Sequence, residues 1–260
     1  MKLIVLVLCA GLATIHGRSM RPVFYGMSRI VHGNEVAPHS IPYQGLSTFE
    51  AGTLCGSILI SDTWVLTAAE CAYGSRSAKT ILGAHNISSP ESDTRQVLQS
   101  EEVIVHENYS PNTDANDIAL IKLAEPAVLT DSVQPAVLPS RNDPSLVGSK
   151  GTVSGWGYFG LTNTTLPYNL NAVTIDIIDG YVCKLAYSIY NNETTICSKG
   201  ETDEGQCWGD AGGPLTVNGK VVGIISYGPP FCYNQDKPTA QTRISYYLDW
   251  ISEKTGIVFA

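Results

Sequence analysis

Gly205-Gln206-Cys207-Trp208-Gly209-Asp210-Ala211-Gly212-Gly213-Pro214-Leu215 is the stretch best suited to chemistry. Glycines around Asp210 and Ala211 permit a tight turn whose backbone N–H groups converge on one small concavity, and Cys207 can tie that turn down covalently. Such a turn can hold the negative oxygen of a tetrahedral intermediate with main chain alone. Gly209 and Ala211 are the residues whose N–H groups would do so. The side chain at its apex is the methyl of Ala211, which cannot attack a carbonyl. The turn therefore reads as a catalytic loop without a nucleophile.

Composition bounds the setting. Met1-Lys2 followed by the apolar run Leu3 to Ala13 reads as a secretory signal over residues 1–17. It is shorter than the roughly 20 apolar residues of a membrane span. Residues 18–29 read as a short pro-segment. Removing residues 1–29 takes away Lys2, Arg18, Arg21 and Arg29 and no acid, leaving 12 basic residues against 24 acidic ones and a net charge of −12. A surface this acidic argues against nucleic acid and anionic membranes as partners and favours a soluble, monomeric protein or one with cationic partners. Cys9 leaves with the signal. Cys55, Cys71, Cys183, Cys197, Cys207 and Cys232 remain, an even set that predicts three disulfides but leaves fifteen pairings open. No Cys/His spacing predicts zinc, and no metal or other cofactor is expected.

Several further motifs must position the turn. Short alternating runs, Cys55-Gly56-Ser57-Ile58-Leu59-Ile60 and Trp64-Val65-Leu66-Thr67, read as strands around the turn Ser61-Asp62-Thr63. They lead into Thr67-Ala68-Ala69-Glu70-Cys71. Asn116-Asp117-Ile118-Ala119-Leu120 follows, then a proline-rich connection through Pro135, Pro139 and Pro144. The second half holds Gly151-Thr152-Val153-Ser154-Gly155-Trp156-Gly157, a strand from Leu170 to Ile178, and a strand from Val221 to Gly228. Ile244, Tyr247, Leu248 and Ile251 have the spacing of an amphipathic helix over 244–256 that Gly256 ends.

Together these motifs resemble the chymotrypsin-like, trypsin-superfamily serine proteases of invertebrate type, over essentially all of Ile30 to Gly256. The resemblance implies an all-β fold, two six-stranded antiparallel Greek-key barrels with a C-terminal helix. The peptidase domain would occupy residues 30–260, with barrels at about 30–140 and 141–243. It implies the pairs Cys55–Cys71, Cys183–Cys197 and Cys207–Cys232. It also implies activation by cleavage after Arg29, the freed Ile30 ammonium pairing with Asp210.

Two family positions depart from the pattern. Ala211 stands where the serine nucleophile belongs, and Glu70 where the histidine base belongs; Asp117 matches the aspartate that orients the histidine. The resulting expectation is a secreted pseudoprotease, not an enzyme, that binds an extracellular protein and modulates a proteolytic cascade. That partner would be a protease, a protease substrate or an inhibitor. Alternatives are a cofactor that activates a partner protease, and residual endopeptidase action carried by Glu70 and Asp117.

The resemblance further implies a specificity pocket with Gly205 at its floor, Ser226, Tyr227 and Gly228 on one wall and Thr239 and Gln241 on the other, crowded and suited to small or medium apolar side chains. Trp208 either overhangs the cleft or packs beside the disulfide. Ala84 and Thr94 stand where calcium-binding relatives carry acids, so no calcium is expected. Asn86, Asn108, Asn163 and Asn192 open sequons and read as glycosylation sites.

Overall fold

Runs of apolar and β-branched residues, each cut short by turn residues, give many brief strands and little helix. The computed structural model describes residues 33–157, 168–201, 205–207, 209–229 and 237–259. In the first half lie β1 (Asn34–Glu35), β2 (Gln44–Phe49), β3 (Leu54–Leu59), β4 (Trp64–Thr67), α1 (Ala69–Ala72), β5 (Ala78–Leu82), β6 (Gln96–Val105) and β7 (Ala119–Leu123). Strands β2 to β7 close an antiparallel barrel in the order β2-β3-β4-β7-β6-β5, with Leu46 of β2 facing Ile81 of β5. Closure leaves no unpaired edge inside the barrel.

The second half contributes β8 (Lys150–Gly155), β9 (Asn171–Ile177), α2 (Gly180–Ala186), β10 (Thr195–Lys199), β11 (Pro214–Val217), β12 (Lys220–Ile225) and β13 (Thr239–Arg243). These six strands run β8-β9-β10-β13-β12-β11, and β11 returns to pair with β8. Strand β1 crosses from the first half to pair with β9. The expected pair of six-stranded antiparallel barrels is what the chain forms.

Ile58, Leu59, Leu66, Leu120 and Ile121 are fully buried in the first barrel, and α3 (Leu248–Thr255) adds Leu248 and Ile251 to the same cluster. Each such side chain contributes about 1.5–3 kcal/mol by leaving water. Val153, Ile175, Leu215 and Val222 form the centre of the second barrel. The single helix expected over 244–256 is instead a 3₁₀ turn, Ile244–Tyr246, followed by α3. The break at Tyr247 lets its hydroxyl bond Asn116 Oδ1 at 2.9 Å, beside Asp117. Gly256, at φ 76°, caps α3 by donating its N–H to Ser252 O.

Two disulfides join Cys55 to Cys71 and Cys183 to Cys197, with Cα separations of 6.2 and 5.8 Å. Cys207 is also disulfide-bonded, and Cys232 lies outside the described residues. On the rim of the first barrel the loop after Gly83 is braced by its own side chains. The Glu91 carboxylate accepts from His85 N and Asn86 N, both at 2.9 Å, while the Arg95 guanidinium donates to Ile87 O and Ser89 O. The guanidinium thus satisfies two carbonyls of this loop.

Candidate active site

Asp117 ties the two barrels together beneath the cleft. Only 1% of its surface is exposed. Its Oδ1 accepts from Glu70 N at 2.8 Å and its Oδ2 from Ser226 Oγ at 2.5 Å, while Thr242 Oγ1 donates to its carbonyl at 2.7 Å. Glu70 lies on the one-turn helix α1, whose position is fixed by β4 before it and by the Cys55–Cys71 bridge within it. The backbone of residue 70 is therefore docked on Asp117.

The Glu70 side chain lines the cleft, and its carboxyl has no hydrogen bond or ion pair among the described residues. Its pKa is raised well above the usual glutamate value, first by the protein packed around the carboxyl and then by the charges of Asp117 and Asp114. The residue as a whole remains open to solvent. Asp117 is raised by burial, opposed by the bonds from Ser226 and Glu70 N. Asp114, half-buried, is raised by burial and opposed by a bond from Tyr109.

The glycine-rich turn stands opposite. Gly209 and Gly212 adopt φ values of 93° and 82°. A Cβ on Gly212 would come within 2.3 Å of Gly56 O and Thr67 Oγ1, so the turn can press against the first barrel only with glycine there. Asp210, fully buried, accepts from Gly157 N at 2.9 Å and Cys207 N at 3.1 Å. Its carboxylate fills the space that a Cβ on Gly157 would need, which accounts for the Gly155-Trp156-Gly157 motif. Ala211 O accepts from Gly56 N at 2.8 Å. The N–H groups of Gly209 and Ala211 make no hydrogen bond among the described residues, and both residues line the cleft. Arg29, Ile30 and Trp208, expected at this site, lie outside the described residues.

A cavity of about 310 Å³ runs from Thr53 and Leu54 past Glu70 and Ala211 to Ser226, Tyr227 and Gly228. Gly205 and Thr239 were expected at its floor and wall but do not line it. A buried polar network lies behind Gln206, which lines the cavity. Gln241 Nε2 donates to Gln206 Oε1 at 2.5 Å and Ser198 Oγ at 2.8 Å, and Thr239 Oγ1 bonds Ser198 Oγ at 2.9 Å. Gln206 Nε2 in turn reaches Tyr227 O and Ala240 O, both at 3.3 Å. The two amides are thereby interlocked. Sequence reading missed Gln206 in this role and missed Asp114, although a third acid only three residues before Asp117 was a signal.

Of the sequon asparagines, Asn108 and Asn192 are exposed. Asn86 is half-buried and donates to Asn169 Oδ1 at 2.7 Å. Asn163 lies outside the described residues. No helix among the described residues is long and apolar enough to cross a membrane.

Comparison with known proteins places this geometry. The family model described as Trypsin matches residues 30–251. The chain is 38% identical to brachyurin of Leptuca pugilator over 88% of its own length and 99% of that protein's. It is 38% identical to chymotrypsin of Phaedon cochleariae, over 85% of this chain and 80% of that protein, and 36% identical to Homo sapiens kallikrein-15, over 86% and 90%. Among solved structures, mouse neuropsin, a serine protease, is similar with a TM-score of 0.78 and 34% identity, over 86% of this chain and 99% of that one.

These relatives correct the expectation that the chain is not an enzyme. They bear the names of active proteases, and they cover nearly the whole chain. The expectation rested on two side chains. Glu70 and Ala211 bear on one route of attack, whereas the N–H turn and the Glu70 carboxyl still line the cleft, with Asp117 buried beneath it. By sequence and by fold, the chain belongs to the trypsin family, as a chymotrypsin-like serine protease domain.

Proposed function

We propose that the protein recognises an extended segment of an extracellular polypeptide in this cleft and modulates a proteolytic cascade by holding it, without an acyl-enzyme at residue 211. The observation that carries this reading is an open backbone edge facing an open N–H turn. Ser226 O and Gly228 N make no hydrogen bond among the described residues, and neither do Gly209 N and Ala211 N. An extended chain can add to such an edge as a strand while one of its carbonyls points into the turn. Between the two, Ala211 presents a methyl, which has no lone pair to form an ester. The signal-like amino terminus and the disulfides support an extracellular setting.

A second reading, hydrolysis in the same cleft, is favoured by the relatives that are named as proteases. Under it, water attacks the bound carbonyl carbon and gives its proton to Glu70; the C–N bond then breaks and the proton passes to the departing amine. Both readings are tested by one experiment. The chain is incubated with a library of extended peptides, with retained and cleaved peptides measured by mass spectrometry and the protein itself probed with a fluorophosphonate. Retained peptide with no adduct between Gly205 and Leu215 is expected. An adduct there ends the proposal, and cleavage without an adduct favours the second reading.

A further inference from the structure

We infer that His106 is a pH-sensitive latch for the cleft: on taking up a proton it releases the loop of residues 107–116 from the C-terminal elements and loosens the hold on a bound polypeptide. The inference rests on the reading that the cleft holds such a segment and names how that hold is regulated.

The latch is a closed circuit of four contacts. His106 Nδ1 accepts from Asn108 N at 3.2 Å, and Asn108 O accepts from Asn116 Nδ2 at 2.8 Å. Asn116 Oδ1 accepts from Tyr247 Oη at 2.9 Å, and the Tyr247 ring returns to His106 edge-on, with centroids 5.4 Å apart. The ring of Trp250, in α3, packs on the same imidazole with centroids 5.0 Å apart. The circuit holds Asn116 at φ 57°, a left-handed conformation uncommon outside glycine. The next residue is Asp117, whose carboxylate joins Glu70 N to Ser226 Oγ beneath the cleft. Slack at Asn116 therefore reaches the backbone that enters the cleft.

One proton is enough to open the circuit. While Nδ1 accepts, the imidazole is neutral and its proton is on Nε2. An imidazolium carries a proton on both nitrogens, so Nδ1–H would face Asn108 N–H, donor against donor. That bond is lost, and with it the contact that orients Asn108 O towards Asn116. Burial is the foremost cause that lowers the His106 pKa; Glu107, beside it in sequence, opposes the shift and Lys254, from α3, adds to it. Glu107 is itself engaged by Lys254 Nζ and Trp250 Nε1. Tyr247, its pKa raised by burial, keeps its hydroxyl proton. The closed latch thus prefers the neutral ring. Its contribution is fully present above the unfolded histidine value of about 6.5 and is lost as pH falls through the lower folded value.

The test titrates the isotopically labelled full chain by NMR from about pH 7.5 to about pH 5, a span that brackets an ordinary histidine. The Asn108 amide and the Asn116 side-chain amide are expected to shift together with the His106 ring, at a midpoint below about 6.5. His106→Gln should remove that step, while any step of Asp117, pushed up to about 6 by burial, remains. Tyr247→Phe opens the circuit at another point and should move both amide signals towards their acid positions already at neutral pH. An extended peptide retained by the cleft should bind about threefold or more weakly at the acid end, the loss shrinking in His106→Gln. A step unchanged by His106→Gln overturns the inference, as does a His106 titration that leaves both amides where they are, or a Tyr247→Phe chain whose signals stay at their neutral positions. Equal peptide affinity at both ends of the range also overturns it and leaves the cleft reading in place. Absence of any saturable peptide binding removes the cleft reading and its regulation together.

Discussion

On the outer surface Glu107 accepts from Trp250 Nε1 at 2.8 Å and pairs with Lys254 Nζ at 2.5 Å, whereas Glu70 in the cleft has no partner for its carboxyl among the described residues. The bond from Lys254 is the foremost cause that holds Glu107 at about 2. Asp143 is likewise lowered to about 2, chiefly by Lys220 with help from Ser140. Glu70, Asp114 and Asp117 all move the other way, burial being the first cause in each. These two peripheral acids each have a lysine, whereas the three acids at the cleft have one another as charged neighbours. Perturbed groups gathered in a cleft are a mark of function, because a site evolved for stability alone would pair or remove them.

The largest effect is expected at the centre of the cleft cluster. Asp117→Ala leaves Ser226 Oγ and Glu70 N without their acceptor and should cost about 3 kcal/mol in chemical denaturation. Asp117→Asn keeps an acceptor oxygen and should cost clearly less. Equal losses in the two would mean that the charge of Asp117 is what matters, contrary to the contrast between paired and unpaired acids.

A smaller, pH-dependent effect is expected at Glu70. A raised folded pKa means that the folded state binds the proton more tightly than the unfolded chain. The contribution to stability is then fully present below the unfolded value of about 4.3 and is lost as pH rises through the folded value. Glu70→Gln should flatten that decline in a series of melting curves, while the contribution of Asp117, of the same sign, remains. Superimposable curves for the two proteins would place the Glu70 carboxyl in ordinary solvent.

The least effect is expected on the periphery. Glu107 is exposed, so breaking its pair by Lys254→Met should cost little near neutral pH in chemical denaturation. Because its folded pKa is depressed, this contribution is present above the unfolded value of about 4.3 and disappears as pH falls through about 2. A loss as large as that of Asp117→Ala would erase the distinction between the two sets of acids.

The scaffold was legible because its signals are tied to backbone geometry. Gly155 and Gly157 are required by the Asp210 carboxylate packed against them, and the pairs Cys55–Cys71 and Cys183–Cys197, which the family resemblance implied and spacing alone left open, are formed. The cleft was less legible because its character arises from side chains distant in sequence. Gln206 and Gln241 are 35 residues apart and neither signals that it will interlock with the other. The same holds for Arg95, whose guanidinium takes the carbonyls of Ile87 and Ser89. Asp114 adopts φ 48° and joins the acidic cleft through Tyr109, a placement that residue type alone does not encode. Judging enzyme from non-enzyme on residues 70 and 211 failed for a related reason. Two residue types describe one reaction scheme, and a cleft offers more than one.

The most direct test of the claim that this cleft holds an extended polypeptide is hydrogen–deuterium exchange of the full chain, with and without a saturating extended peptide retained in the library experiment. The amides left open at the strand edge and in the turn, Gly228, Gly209 and Ala211, should become protected together, because one bound strand covers both. Protection confined to an outer surface, such as the exposed face of α2 around Tyr181 and Leu185, with those three amides unchanged, would contradict the account.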